Sequence, residues 1–129
     1  MCSEDDMANP NIVNVASIIG RTAGVNLTST SMTTLVNNGE GSNASLKLNV
    51  LNMTNYSSST IAVSVSYYTA ANQGGSEYKI AHNLNVPVGT VLTIVDKSSG
   101  YYMEENSSLA VIANVANSIF ATASYEEII

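Results

Sequence analysis

An all-β fold, a single β-sandwich or jelly-roll-like domain of about seven to eight antiparallel strands, follows from three features of the sequence. Apolar residues alternate with polar ones along most of the chain, the period of a half-buried strand. Turn-forming clusters interrupt this alternation at short intervals. Helical patterning is confined to the start, where Asn and β-branched residues in "MANPNIVNVASIIG" oppose more than a turn or two.

Taken in order, "NIVNVASII" reads as a first strand and "TTLVNN" as a second, weaker one. "NNGEGSN" is a turn, and "NASLKLNVLN" then places Ala44, Leu46, Leu48 and Val50 on one face. In "TIAVSVSYYT" that face holds Ile61, Val63, Val65 and Tyr67, and "NQGGSE" is read as the loop that follows. "EYKIAHNLNV" places Tyr78, Ile80, His82, Leu84 and Val86 together. Pro87 ends that ladder, since proline has no N–H to donate. "TVLTIVD" is a further weak strand, broken from the next segment by "KSSG" and "EENSS". The last two segments, 109–116 and 119–125, are predicted to pair as a closing hairpin across Asn117-Ser118, with Leu109, Val111, Val115, Ile119 and Tyr125 facing a core.

At 129 residues the chain suits one domain, read as an acidic leader at 1–7 and a sandwich over 8–129. Only 11% of residues are charged, against roughly 25% in an ordinary soluble domain. The formal charge of -6, with Arg21, Lys47, Lys79 and Lys97 the only cationic side chains, argues against nucleic acid and against an anionic membrane surface. Cys2 is the single cysteine, so no internal disulfide forms. "MCSEDDMANP" has no signal-like apolar segment, which points to synthesis and assembly in a cytoplasm. With one Phe and no Trp, the core is expected to be Val, Ile, Leu, Ala and Tyr. So thin a core predicts a homo-oligomer, with a trimer favoured.

Chemistry-bearing residues are few. His82 is the only imidazole, and with no second His or nearby Cys it reads as a packed or interface residue. The pairs Glu104-Glu105 and Glu126-Glu127 resemble the two carboxylates of a glycosidase only in number. Neighbours in a strand point to opposite faces, so these acids read as the solvated ends of the closing hairpin. No spaced oxygen-ligand loop is present for calcium. The sequons at Asn26, Asn43, Asn52, Asn55 and Asn106 are those that a chain rich in Asn, Ser and Thr produces by chance. No catalytic residue, cofactor or metal is predicted. Tyr67, Tyr68, Tyr101 and Tyr102 are the candidate interface residues: within each pair one ring is expected inward and one outward.

Two segments carry a resemblance. Pro10 to Val15 at the start, and Pro87, Tyr102 to Glu105 and Ser124 to Ile128 towards the end, resemble the small virion structural proteins of tailed phages that infect marine cyanobacteria. The likeness covers both ends, roughly half of the chain, and involves no catalytic residue. Asn106-Ser107 stands where relatives often have Gly-Asp, and the segment before Met7 is a further departure. The resemblance implies a non-enzymatic subunit of a cyanophage virion, with the major capsid protein or other virion proteins as partners. A capsid decoration (cement) protein is the leading expectation. A neck, tail or baseplate subunit, a host-glycan-binding module and a small hydrolase are the alternatives.

Overall fold

The computed structural model describes residues 17–129; the leader at 1–7, the domain start at residue 8 and most of "NIVNVASII" lie outside the described residues. The strands are β1 (Ile18–Asn26), β2 (Thr33–Asn38), β3 (Ser45–Asn55), β4 (Ile61–Ala70), β5 (Gly74–Val86), β6 (Val91–Val95), β7 (Tyr101–Met103), β8 (Ser107–Ala113) and β9 (Ile119–Ile128). A 3-10 turn, Lys97–Ser99, separates β6 from β7.

All pairings are antiparallel: β1 with β9, β2 with β8, β4 with β5, and β3 with both β6 and β7. β6 and β7 pair with different halves of β3, so they are one strand broken in the middle. These are the pairs of a single long hairpin folded at the β4–β5 turn. Rolling that hairpin brings β9 beside β3 and β8 beside β4. The result is a jelly roll, with a first sheet ordered β1-β9-β3-β6 and a second ordered β2-β8-β4-β5.

The inner faces follow the predicted alternation along β4, β8 and β9. Ile61, Val63 and Val65, then Leu109, Val111 and Ala113, then Ile119, Ala121 and Ala123 are all buried. In β3 the alternation changes phase. A bulge opposite Ser124 and Tyr125 shifts the register between Leu48 and Val50, so Leu51 and Met53 turn inward. Met53 and Met103 enlarge the core beyond the residue types expected. At the break between β6 and β7 the chain runs so close to β3 that a Cβ on Gly100 would lie 2.5 Å from the Leu48 carbonyl oxygen. Only glycine fits there.

Two buried asparagines join the sheets at opposite ends of the sandwich. Asn38, at the end of β2, donates its amide to the carbonyls of Ala44 at 2.9 Å, Met103 at 3.1 Å and Glu104 at 3.0 Å. Asn55, at the end of β3, donates to the carbonyls of Ser59 at 2.7 Å and Val86 at 2.8 Å, and accepts from the Ser57 N–H at 2.8 Å. Each amide satisfies carbonyls on segments that leave the ladder, which no strand neighbour supplies.

Three expectations are corrected. Segments 109–116 and 119–125 form no hairpin: β8 belongs to the second sheet and β9 to the first. Asn117, at a φ of 57°, turns the chain across the sandwich instead, and Val115 is exposed. "NQGGSE" is mostly strand, since β5 begins at Gly74 and the turn is made by Asn72 and Gln73 at positive φ. Val50 leaves the inner face because of the bulge in β3.

Asn38→Ala should lower unfolding free energy by about 2 kcal/mol or more, because it leaves buried carbonyls unpaired. Urea denaturation measures this. Val111→Asp should prevent folding, since an unpaired buried carboxylate costs several kcal/mol of the roughly 5 to 15 available to a domain. Soluble yield and circular dichroism report it.

Candidate functional site

The four tyrosines singled out in the sequence occupy both sheets. Tyr67 and Tyr68 lie in β4, where Tyr67 packs against the core and Tyr68 is half-buried on the other side. Tyr101 and Tyr102 lie in β7 at the edge of the first sheet, where they are 45% and 53% exposed. The expected inward-outward split holds for the first pair and fails for the second. β7 is a three-residue edge strand, so among the described residues no strand beyond it covers Tyr101, although Tyr101 stands opposite the buried Leu48. The structure does not merge the pairs into one patch, because they belong to opposite sheets.

Around Tyr68 the outer face of the second sheet carries a polar cluster. The Ser66 hydroxyl, fully buried, donates to Glu77 Oε2 at 2.6 Å, and Lys79 Nζ donates to the same oxygen at 3.0 Å. The Ser66 hydroxyl, and after it Lys79, holds the Glu77 carboxyl below the usual glutamate range. Burial, and then the negative Glu77, pushes the Tyr68 phenol above its ordinary value. Ser66 has no access to solvent and Lys79 is ion-paired. The bond from Ser66 on β4 to Glu77 on β5 makes this cluster a clasp between the two strands.

Of the two readings of His82, packed or interface, the structure removes the packed one. The register of β5 against β4 slips between the pairs Val65–Ala81 and Val63–Leu84, and Asn83 there has a φ of 52°. That bulge leaves His82 exposed, with its ring Nε2 3.3 Å from Asn83 Nδ2. The acidic pairs are not hairpin ends either. Glu104 and Glu105 lie in the turn between β7 and β8, whereas Glu126 and Glu127 lie within β9. Glu126 shares a cross-strand row with Gly20, Lys47 and Tyr102; Glu127, in the next row, pairs with Arg21 at 2.8 Å. Among the described residues no group of three or more His, Cys, Asp or Glu is placed to hold a metal ion. A shallow depression of about 110 Å³ beside Ser64, Asn83, Ile112 and Asn114 is small against the roughly 300 to 1,000 Å³ of ligand sites.

Sequence reasoning missed part of the exposed apolar surface. Tyr56 and Phe120 stack with ring centroids 4.2 Å apart on the outer side of the first sheet, and the Tyr56 hydroxyl donates to Asn26 at 2.7 Å. In the cross-strand row of Phe120 stand Asn26, Thr54 and Val91, and Val91 is 55% exposed. Tyr78, on β5, is 61% exposed. The available signal was Phe120 itself, a large aromatic on the polar side of an otherwise alternating strand.

No family model and no curated protein matches the sequence. Solved structures with similar folds come from infectious bursal disease virus. A chain of its T13 viral particle has a TM-score of 0.47 at 11% identity, over 89% of this chain and 32% of its own length. A chain of the Gt strain has a TM-score of 0.44 at 11% identity, over 89% and 31%. The VP2 subviral particle has a TM-score of 0.42 at 11% identity, over 85% and 32%. This chain spans about a third of the length of the chains it matches.

The lowered Glu77 value sets the direction of a pH effect. The clasp contributes fully above the ordinary glutamate range and is lost as pH falls through the lowered folded value. Carboxyl NMR titration should find Glu77 titrating below an unfolded-chain glutamate. Ser66→Ala should raise that midpoint more than Lys79→Met does.

Proposed function

We propose that this chain is a non-enzymatic structural subunit of a virion, acting as a decoration (cement) protein on the outer shell. The observation that carries the reading is the exposure of large apolar side chains on a domain whose core is already closed. Tyr78, Tyr101, Tyr102, Val91 and Phe120 are each more than two-fifths exposed, on a surface where neutral polar residues outnumber charged ones. Such rings gain burial only against a partner, and they lose little side-chain entropy in docking. The resemblance of the chain ends to small virion proteins of cyanophages supports the same reading. The partner is then the major capsid protein, and the site of action is the particle, assembled in the host cytoplasm. Adhesion is the mechanism: the subunit covers seams between shell subunits and adds binding free energy against internal pressure.

A glycan-binding role finds less support, because Tyr56 and Phe120 each direct one ring face at the other. A neck, tail or baseplate position would give the subunit another virion protein as partner and a lower copy number. Quantitative mass spectrometry of the particle decides: copies on the order of hundreds mark the shell, and a single ring's worth marks the neck or tail. The double variant Tyr101→Ser, Tyr102→Ser should keep its melting temperature and bind shells stripped of this subunit roughly tenfold or more weakly. Unchanged binding would remove these tyrosines from the interface.

A further inference from the structure

We propose that the open edge of β1 pairs with the β1 of a second copy of this chain, antiparallel about a two-fold axis at Thr22. The inference is independent of the virion reading and starts from the four sheet edges. A free edge presents unpaired N–H and C=O groups, and proteins block it with short strands, bulges, charges or covering segments.

Three of the four edges are blocked in those ways. β5 has repeated register shifts against β4 and carries the Glu77–Lys79 ion pair. β2 is short and bulged between Thr34 and Val36. It is also flanked by Gln73, whose amide donates to the Met32 carbonyl at 3.3 Å and to Thr34 Oγ1 at 2.8 Å. The edge opposite β1 in the first sheet is split into β6 and β7 by the turn at Lys97–Ser99. Among the described residues β1 has none of these devices. Its nine residues run against β9 without a register shift, and it contains no proline. Its one charge, Arg21, is neutralised by Glu127. Among the described residues, nothing pairs with its other side.

The direction of its backbone groups follows from the ladder. Ser17 and Ile129 exchange both hydrogen bonds, at 3.3 and 3.0 Å, and Leu27 N–H donates to the Ile119 carbonyl at 3.0 Å. In that register Ile19, Arg21, Ala23 and Val25 bond to β9. The N–H and C=O groups of Ile18, Gly20, Thr22, Gly24 and Asn26 therefore point to the open edge.

These groups form a self-complementary set. With the axis at Thr22, Thr22 faces Thr22, Gly20 faces Gly24 and Ile18 faces Asn26, so every one of them is paired. A shifted register leaves groups at the ends unpaired. The alternate positions also agree, because Ile19 then faces Val25 and Arg21 faces Ala23, with no like charges opposed. Gly20 and Gly24 carry no side chain to obstruct the approach. The seam is about 30 Å long at about 3.4 Å per residue and one strand edge wide. That is the lower end of specific interfaces, so the pair is concentration-dependent. It replaces the three-fold association expected from composition with a closed two-fold one.

The test is sedimentation of the full chain with paired charge variants. The parent should show a monomer–dimer equilibrium. Thr22→Lys and Thr22→Glu place like charges opposite each other at the axis, so each should self-associate roughly tenfold or more weakly. Both should keep the parent's circular dichroism, because residue 22 is exposed and its backbone bonds point away from β9. An equimolar mixture of the two should restore the dimer. A parent that stays monomeric at high concentration overturns the proposal. So does self-association that both variants leave intact, or a mixture that fails to pair although the parent does.

Discussion

Burial of small aliphatic side chains between two sheets is the interaction on which everything else in this molecule depends. No internal disulfide is possible, and the largest fully buried side chains are Leu, Met, Ile and Val, with no aromatic ring among them. A core of this kind gains its free energy from close packing of many short side chains, so the inner faces must stay in register along their length. The jelly-roll topology supplies that register. Each strand is hydrogen-bonded to the one opposite it on the other arm of the rolled hairpin, and the central strands β3, β4, β8 and β9 are paired on both sides.

Where strands end, the ladder stops and carbonyls turn inward. Asn38 and Asn55 solve this at opposite ends with the same chemistry, one buried amide serving backbone oxygens from several segments. A buried amide left half-satisfied would be a liability; with its partners in place it ties the two sheets together. The outer faces are treated differently. The Ser66–Glu77–Lys79 clasp holds the β5 edge strand, which has few buried side chains of its own.

The surface that results has little charge, several exposed rings and, among the described residues, one long strand edge with no pairing partner. The serine bonded to Glu77 is sealed from solvent, and the histidine stands on an exposed bulge. Exposed rings occur on both sheets, so apolar side chains face outward on more than one side of the domain.

By itself the sequence determined the class of fold and most of the inner face. Alternation at Ile61, Val63 and Val65, and at Leu109, Val111 and Ala113, has one physical outcome, because burying one side of a strand exposes the other. It also placed the turns, since Gly, Asn and Pro constrain φ locally. Only the tertiary structure decided what pairs with what. β8 and β9 are adjacent in sequence and lie in opposite sheets, because a rolled hairpin pairs β9 with β1 and β3 instead. β1 itself was missed: Gly20 and Gly24 erase its alternation, and its strand state depends on the β9 ladder. The bulges in β3 and β5 change which residues face inward, and a bulge is set by the strand opposite, which no local pattern encodes. For the same reason the tyrosines were identified by type, while the exposure of Tyr101 follows from the place of β7 at the edge of the described sheet.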